Sequence, residues 1–255
     1  MPPFPAAHAA IIRLHWDEVA PAPALPSGEC HIWSFALGQT EARQRHLAQS
    51  LSAEEIERAA AFLRPAPRHQ FIVCRGALRL LLAAYLARPP TECRFTLDQF
   101  GKPSLLAPAA NLRFNLSHSG EQAMIAIARD FEVGVDIEIH RPAHDASGLA
   151  RMIFAPPDLE AWLALPEAAR TAAFYRAWTA KEAVAKAIGC GLALDFPSLR
   201  VSFLPDHAPA ILDIEPARGA ARDWRLATIP TSPGYSAAIA AATSELRLVH
   251  RILSD

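Results

Sequence analysis

The alternation of apolar and polar residues along this chain predicts short strands separated by helices. Residues 31–37 are mostly apolar and predict a strand. Two stretches with helical character follow at residues 53–63 and 68–86, and each stops shortly before a proline. Ser52 precedes the first of them and Glu55 stands three residues later, which is the pattern of a capping box. This part of the chain is therefore predicted to form a strand and two helices.

The same pattern continues to residue 240 and divides the chain into two similar parts. Further strands are predicted at residues 95–98, 113–120, 123–128 and 133–138. The next segments are predicted helices at 145–154, 156–165 and 167–187, followed by strands at 200–203, 210–214, 224–228 and 235–240. This order predicts an α+β fold with an N-terminal half at residues 30–131 and a C-terminal half at 132–255.

The first 29 residues are predicted to be a loosely ordered leader, because six of the 22 prolines fall within the first 26 residues. This segment lacks a basic region followed by an uninterrupted apolar run, so it is a poor signal peptide. No apolar run approaches the ~20 residues that span a bilayer. We therefore expect a cytoplasmic protein that is not bound to a membrane.

Charge and cysteine content argue against several classes of protein. The 25 basic and 26 acidic side chains give a formal net charge of −1, which argues against non-specific nucleic-acid binding as the main function. The four cysteines form no C-x-x-C pair and the histidines form no H-E-x-x-H motif, so a zinc site is not expected.

An acidic pair on the predicted strand at 133–138 is the first candidate for chemistry. Asp136 and Glu138 are two residues apart, so their side chains point to the same face. Two carboxylates on one face suit a hard cation such as Mg²⁺, which proteins commonly hold by one or two carboxylates together with substrate phosphates. The alternative is the solvated polar face of an amphipathic strand.

A second candidate lies on the predicted helix at 167–187. Glu182 and Lys186 are four residues apart on one helix face, and Lys181 is beside them. The same spacing is also that of an ordinary surface ion pair. Gly189 and Gly191 follow and are expected to end the helix.

Several residues of the first half are candidates for binding an anion. Ser117 and His118 lie in a polar segment after a strand, where hydroxyl and imidazole groups can contact phosphate or only stabilise a turn. Lys102 stands in the turn Gly101-Lys102-Pro103 and is either an anion contact or a solvated side chain. Arginines on the predicted helices either bind phosphate or form the outer face of an amphipathic helix.

Four segments, taken in order, resemble the motifs of the Sfp-type 4′-phosphopantetheinyl transferases. They are Gly101-Lys102-Pro103, Phe114-Asn115-Leu116-Ser117-His118-Ser119, Gly134-Val135-Asp136-Ile137-Glu138 and Trp178-x-x-Lys181-Glu182-Ala183-x-x-Lys186. The resemblance covers about residues 31–240. It implies two α+β halves related by a pseudo-twofold axis, with the cofactor bound between them. It also implies transfer of 4′-phosphopantetheine from coenzyme A to a serine of an apo carrier protein, with release of 3′,5′-ADP.

The resemblance also implies roles for individual residues. Asp136, Glu138 and Glu182 are expected to hold Mg²⁺ with the pyrophosphate of coenzyme A, and Asp136, Glu182 and Lys186 are the expected catalytic residues. The expected contacts of coenzyme A are Arg58, Arg68, Arg75, Lys102, Ser117, His118, Lys181 and Lys186.

Some features stay open at this point. Glu55 stands where some relatives place basic residues that hold the 3′-phosphate, so Arg58, Arg68 and Arg75 are only candidates for that role. The base that accepts the serine proton is either Glu182 or a metal-bound water. The partner is expected to be an acyl or peptidyl carrier protein, bound by a monomer through a local basic and apolar patch. A catalytically inactive relative that binds coenzyme A or a carrier protein is the alternative.

Overall fold

The computed structural model describes residues 11–106, 111–141, 146–215 and 218–254. Its elements up to residue 129 are β1 (Ile11–His15), β2 (Glu29–Ala36), α1 (Glu41–Ala48), α2 (Ala53–Ala60), α3 (Pro65–Leu86), β3 (Phe95–Leu97), β4 (Pro103–Leu105), β5 (Leu112–Ser119) and β6 (Gln122–Arg129). Those that follow are β7 (Val133–Ile139), α4 (Ala146–Ile153), α5 (Pro156–Leu163), α6 (Glu167–Ile188), β8 (Arg200–Val201), β9 (Ile211–Asp213), β10 (Arg225–Thr228), β11 (Tyr235–Ala241) and β12 (Arg247–Ser254). The predicted α+β class is confirmed.

Two sheets form the centre of the molecule. The five-stranded sheet has the order β1-β12-β2-β6-β5, and the three-stranded sheet has the order β10-β11-β7. Strand β5 is therefore an edge of the first sheet and β7 is an edge of the second. A shared apolar cluster joins the two sheets, with Ile32 and Met124 from the first and Val135 and Ile239 from the second.

Each sheet packs against one long helix. Helix α3 packs on the five-stranded sheet, where Leu78 and Leu81 are buried with Trp33 and Ile125. Helix α6 lies on the three-stranded sheet and buries mainly alanines, so its backbone approaches the strands closely. The capping box predicted at Ser52 is present, since the hydroxyl accepts from Glu55 N at 3.3 Å and the Glu55 carboxylate accepts from Ser52 N at 3.0 Å.

The prediction of a loosely ordered leader is wrong for residues 11–29. Strand β1 pairs in parallel with β12, and Trp16, Val19 and Leu25 are buried in the core of the first half. The prediction rested on proline content alone and did not consider that the apolar residues between the prolines pack into the core.

Strand β12 and helix α1 were not predicted either. Strand β12 pairs in parallel with β2, so the last strand of the chain lies in the sheet that contains the first half's strands. The division at residues 131 and 132 and the pseudo-twofold relation stay predictions. Among the described residues, no helix is both long and apolar enough to cross a membrane.

Candidate active site

The two sheets meet along a seam between β5 and β7, where side chains of one strand bond the backbone of the other. Asn115 Oδ1 accepts from the backbone N–H of residue 135 at 3.0 Å. Ser117 Oγ accepts from that of residue 137 at 3.4 Å, and Ser119 Oγ from that of residue 139 at 3.2 Å. Alternate side chains of β5 thus satisfy alternate N–H groups on the edge of β7. The polar segment of β5 is thereby placed beside the acidic pair.

Helix α6 reaches the same strand because residue 134 is glycine. A Cβ atom built on Gly134 would lie 2.1 Å from Ala183 O and 2.4 Å from Ala187 N. These separations are far below ordinary contact distances, so only glycine allows this approach. Since Ala183 and Ala187 flank one turn of α6, the helix side chains of that turn are brought next to Asp136.

Asp136 is the most buried carboxylate of the predicted site, with 2% of its surface exposed. Its Oδ1 accepts from Ser117 Oγ at 2.9 Å and from Lys186 Nζ at 2.6 Å. Its Oδ2 is buried and has no hydrogen-bond partner among the described residues. Burial raises the pKa of Asp136, while the Lys186 ammonium and the two hydrogen bonds oppose that shift.

The other two carboxylates lie in the same electrostatic environment. Ser119 Oγ donates to Glu138 Oε2 at 2.6 Å. Burial raises the pKa of Glu182, and the charges of Asp136 and Glu138 raise it further. The structure therefore brings Asp136, Glu138 and Glu182 within electrostatic reach of one another, with Lys186 as the neighbouring cation.

A cavity of about 400 Å³ opens beside β5. Three of the predicted cofactor-binding residues, Arg58, Arg75 and His118, contribute to its wall. The remaining lining residues are mostly apolar and include Phe62, Phe71, Pro67, Leu78, Pro103 and Leu116. Burial lowers the pKa of His118, and the nearby Lys186 lowers it further while Glu138 opposes the shift. His118 therefore lines the cavity and also lies within electrostatic reach of Lys186 and Glu138.

Comparison with known proteins shows the family of this chain. The model of the 4′-phosphopantetheinyl transferase superfamily matches residues 132–240, which contain β7 and α6. The 4′-phosphopantetheinyl transferase HetI of Nostoc sp. is 35% identical over 229 residues, which are 89% of this chain and 93% of HetI. The chain belongs to the 4′-phosphopantetheinyl transferase superfamily.

Two other members of the superfamily are similar to this chain over more than three quarters of its length. A putative 4′-phosphopantetheinyl transferase of Synechocystis sp. is 34% identical over 78% of this chain and 82% of its own length. The 4′-phosphopantetheinyl transferase Sfp of Bacillus subtilis is 29% identical over 77% of this chain and 90% of its own length. The predicted family and enzyme class are thereby confirmed.

The chemistry of the carboxylates fits the divalent cation predicted from the family resemblance. The described residues contain no group of three or more His, Cys, Asp or Glu side chains already arranged around a metal position. A buried carboxylate oxygen without a partner nevertheless requires an explanation, and Asp136 Oδ2 is such an atom. An oxygen-only donor set of carboxylates is the set that Mg²⁺ prefers.

The prediction that Lys181 binds the cofactor is wrong. Its side chain is fully buried on a face of α6 different from that of Glu182 and Lys186. Its Nζ donates to Ile153 O at 2.5 Å and to Phe196 O at 2.7 Å. Adjacent residues of a helix point in different directions, and here the lysine connects α6 to the end of α4.

Lys102 is engaged in a contact different from the predicted one. Its Nζ donates to Glu132 Oε2 at 2.8 Å and to Ala187 O at 2.9 Å, at the C-terminal end of α6. The neighbouring turn is fixed by Asp98 Oδ1, which accepts from Lys102 N at 2.9 Å. The lysine therefore connects the turn before β4 to the helix that carries Lys186.

The three predicted arginines differ in their surroundings. Arg75 shares the cavity wall with Arg58 but also forms an ion pair with Glu55 at 3.4 Å. Arg58 stacks its guanidinium 5.4 Å from the ring centre of Phe71. Arg68 is exposed and does not line the cavity. Arg58 and Arg75 therefore have better support than Arg68.

Three residues of the site were not assigned from the sequence. Ser119 contacts Glu138, Gly134 admits α6, and Glu132 pairs with Lys102 and with Arg113 Nε at 2.6 Å. The spacing of Asn115, Ser117 and Ser119, which alternates like a strand beside Asp136 and Glu138, was the available signal for the serines.

Proposed function

We propose that this member of the superfamily transfers the 4′-phosphopantetheine of coenzyme A to a serine of an apo acyl or peptidyl carrier protein in a Mg²⁺-dependent reaction. The proposal rests on the position of Asp136, Glu182 and Lys186, which lie near one another where β7 packs against α6. One buried oxygen of Asp136 has no hydrogen-bond partner among the described residues. Family membership supplies the type of reaction.

The reaction joins the serine hydroxyl oxygen to the phosphorus that carries the pantetheine. The bond from that phosphorus to the bridging pyrophosphate oxygen breaks, and 3′,5′-ADP leaves with its electron pair. The serine proton is lost, and Glu182 is proposed to accept it because it is the carboxylate with a raised pKa that α6 presents. Transfers of this kind depend on positioning and on neutralisation of charge more than on covalent catalysis.

The residues of the site are proposed to divide these tasks. Asp136, Glu138 and Glu182 would hold Mg²⁺, which when bound neutralises charge on the pyrophosphate. Lys186, already 2.6 Å from Asp136 Oδ1, is proposed to contact the same phosphates. All of these residues belong to one chain, so a monomer is sufficient for the proposal.

The cavity beside β5 is proposed to accept the phosphoadenosine end of coenzyme A. Arg58, Arg75 and His118 would contact the 3′-phosphate, and the phenylalanine rings of the wall offer an apolar surface for the base. A cavity of about 400 Å³ lies within the usual size range for small-molecule sites.

Helix α4 is proposed as the surface that meets the carrier protein. Leu149 and Met152 expose 42% and 69% of their surface, and the exposed Arg151 lies between them. Carrier proteins that are acidic around their serine would meet both apolar and basic groups here. We expect transfer to weaken with rising salt and with charge reversal at Arg151; a rate indifferent to both would remove this surface from the proposal. The cytoplasmic location and the monomeric state stay predictions.

The experiment that tests the proposal incubates the purified protein with coenzyme A, Mg²⁺ and a panel of apo carrier proteins, and measures the carriers by intact-mass spectrometry. A carrier heavier by one phosphopantetheine is expected, and EDTA and the variant Asp136→Ala are both expected to abolish the gain. Asp206→Ala, which changes an exposed aspartate, is the matched control. Coenzyme A binding without any mass gain on any carrier would instead support the inactive relative.

A further inference from the structure

Two serines of β5 make the same pair of contacts with β7. Ser117 Oγ accepts from the N–H of Ile137 and donates to Asp136 Oδ1 at 2.9 Å. Ser119 Oγ accepts from the N–H of Ile139 and donates to Glu138 Oε2 at 2.6 Å. Each hydroxyl is therefore bound to the carboxylate of one residue and to the backbone of the next.

These contacts fix the direction of each hydroxyl proton. A serine hydroxyl has one proton and two acceptor lone pairs. The backbone N–H occupies a lone pair, so the proton is available for the carboxylate. At Ser117 the second lone pair also accepts from Lys186 Nζ at 3.0 Å. A hydroxyl saturated in this way has no proton left for a phosphate, which is the role that the family resemblance implied for Ser117.

Holding one carboxylate oxygen determines where the other oxygen points. At Asp136, Oδ1 receives both Ser117 and Lys186, while Oδ2 is buried without a partner among the described residues. The backbone bonds hold the serines to β7 itself, so the hydroxyls and the carboxylates keep one register. This is how residues outside the metal contacts commonly orient metal-binding groups.

We propose that Ser117 and Ser119 are positioning residues that orient Asp136 and Glu138 toward a divalent cation. The inference rests on the proposed function, because it assumes that these carboxylates hold a metal. Partners of metal-binding groups typically account for about 10–100-fold in metal affinity. Ser119 is the cleaner test, since Ser117 also contacts Lys186.

The test measures Mn²⁺ binding to the full chain by electron paramagnetic resonance, with neither coenzyme A nor carrier protein present. Ser119→Ala is expected to bind Mn²⁺ about 10–100-fold more weakly than the wild type. Ser119→Thr keeps the hydroxyl and suits a strand, so it is expected to restore the affinity. Mn²⁺ affinity of Ser119→Ala within about twofold of the wild type would overturn the proposal.

A matched control distinguishes two causes of weaker Mn²⁺ binding: a carboxylate that is no longer oriented, and a lost hydrogen bond between β5 and β7. Asn115 accepts a β7 N–H at 3.0 Å as the serines do, but no carboxylate contact is described for it. Asn115→Ala is expected to lower the melting temperature while it leaves Mn²⁺ affinity unchanged. An equal loss of Mn²⁺ affinity in Asn115→Ala and Ser119→Ala would show that the seam alone matters, and would overturn the inference.

The outcome is distinguishable from failure of the proposed function. A wild-type protein that modifies a carrier and binds Mn²⁺, with Ser119→Ala equal to it in both, contradicts only the inference about the serines. A wild-type protein that binds no Mn²⁺ contradicts the inference about the serines, which needs carboxylates that hold a metal by themselves. Only a wild-type protein that still binds no Mn²⁺ after coenzyme A is added contradicts the metal site of the proposed function as well.

Discussion

Helix α6 can approach β7 closely only because residue 134 has no side chain. In Gly134→Ala the added Cβ would stand 2.1 Å from Ala183 O. Carbon and oxygen atoms in the closest favourable contacts are about 3.3 Å apart, so α6 and β7 must separate by roughly 1 Å. This shift occurs where α6 carries Glu182 and Lys186 past Asp136.

Two quantities are expected to change. A misplacement of about 1 Å in a catalytic arrangement can cost about 100-fold in rate, so we expect kcat to fall by that order. Overpacking typically costs about 1–3 kcal/mol of unfolding free energy, which corresponds to roughly 2–4 °C in Tm for each kcal/mol at this chain length. Transfer of phosphopantetheine to a carrier protein measures the first quantity, and thermal unfolding followed by circular dichroism measures the second.

Gly38→Ala is the matched control for this experiment. The nearest atom to a Cβ at Gly38 is Glu121 Oε2 at 3.8 Å, so the same substitution meets no obstacle there. We expect this variant to keep both rate and Tm. A Gly134→Ala protein with wild-type kcat and Tm would show that the close approach of α6 to β7 is not required for the site.

Three further outcomes are expected. Lys102→Met should lower kcat about tenfold with little change in the KM for coenzyme A, because the amine binds Ala187 O at the end of α6. Lys102→Arg should recover part of the lost kcat. A rise in KM alone would instead make Lys102 a cofactor contact. Burial lowers the pKa of Lys181 to about 8 from 10.5, so between these pH values the unfolded state binds more protons than the folded state. Wild-type stability should therefore rise with pH across that window by on the order of 3 kcal/mol relative to Lys181→Met. Parallel stability curves in denaturant titrations would contradict this. Burial and neighbouring carboxylates raise the pKa of Glu182, so the acidic limb of the pH–rate profile should lie above pH 4.5. This limb should move to lower pH as the Mg²⁺ concentration is raised. A limb that does not respond to Mg²⁺ would place the metal elsewhere.

Local sequence patterns were sufficient where an element carries its own periodicity. The acidic strand and the Lys-Glu helix were predicted at 133–138 and 167–187, and the structure has them at Val133–Ile139 and Glu167–Ile188. Both elements combine a buried face with a polar face that leads to the site. Their meeting depends on Gly134, whose role no single-strand pattern reveals, because the atoms it avoids are about fifty residues away in sequence.

The elements that were missed lack such local signals. Helix α1 is mainly polar and buries only Leu47, so no apolar stripe marks it. Strands β1 and β12 pair in parallel with each other, although they lie near opposite ends of the sequence. A parallel pair is not joined by a short hairpin turn, so no turn motif in the sequence indicates this pairing. Lys181 was misassigned by adjacency to Glu182, although helix geometry already directs neighbouring residues to different faces.

In the proposed function, Asp136, Glu138 and Glu182 hold a divalent cation against the pyrophosphate of coenzyme A. A crystal structure of the protein with coenzyme A and Mn²⁺, with anomalous scattering from the metal, tests this arrangement. We predict an anomalous peak at bonding distance, about 2.1 Å, from Asp136 Oδ2 and from a pyrophosphate oxygen. Coenzyme A bound in the structure with the metal peak away from Asp136, or with its pyrophosphate far from β7 and α6, would contradict it.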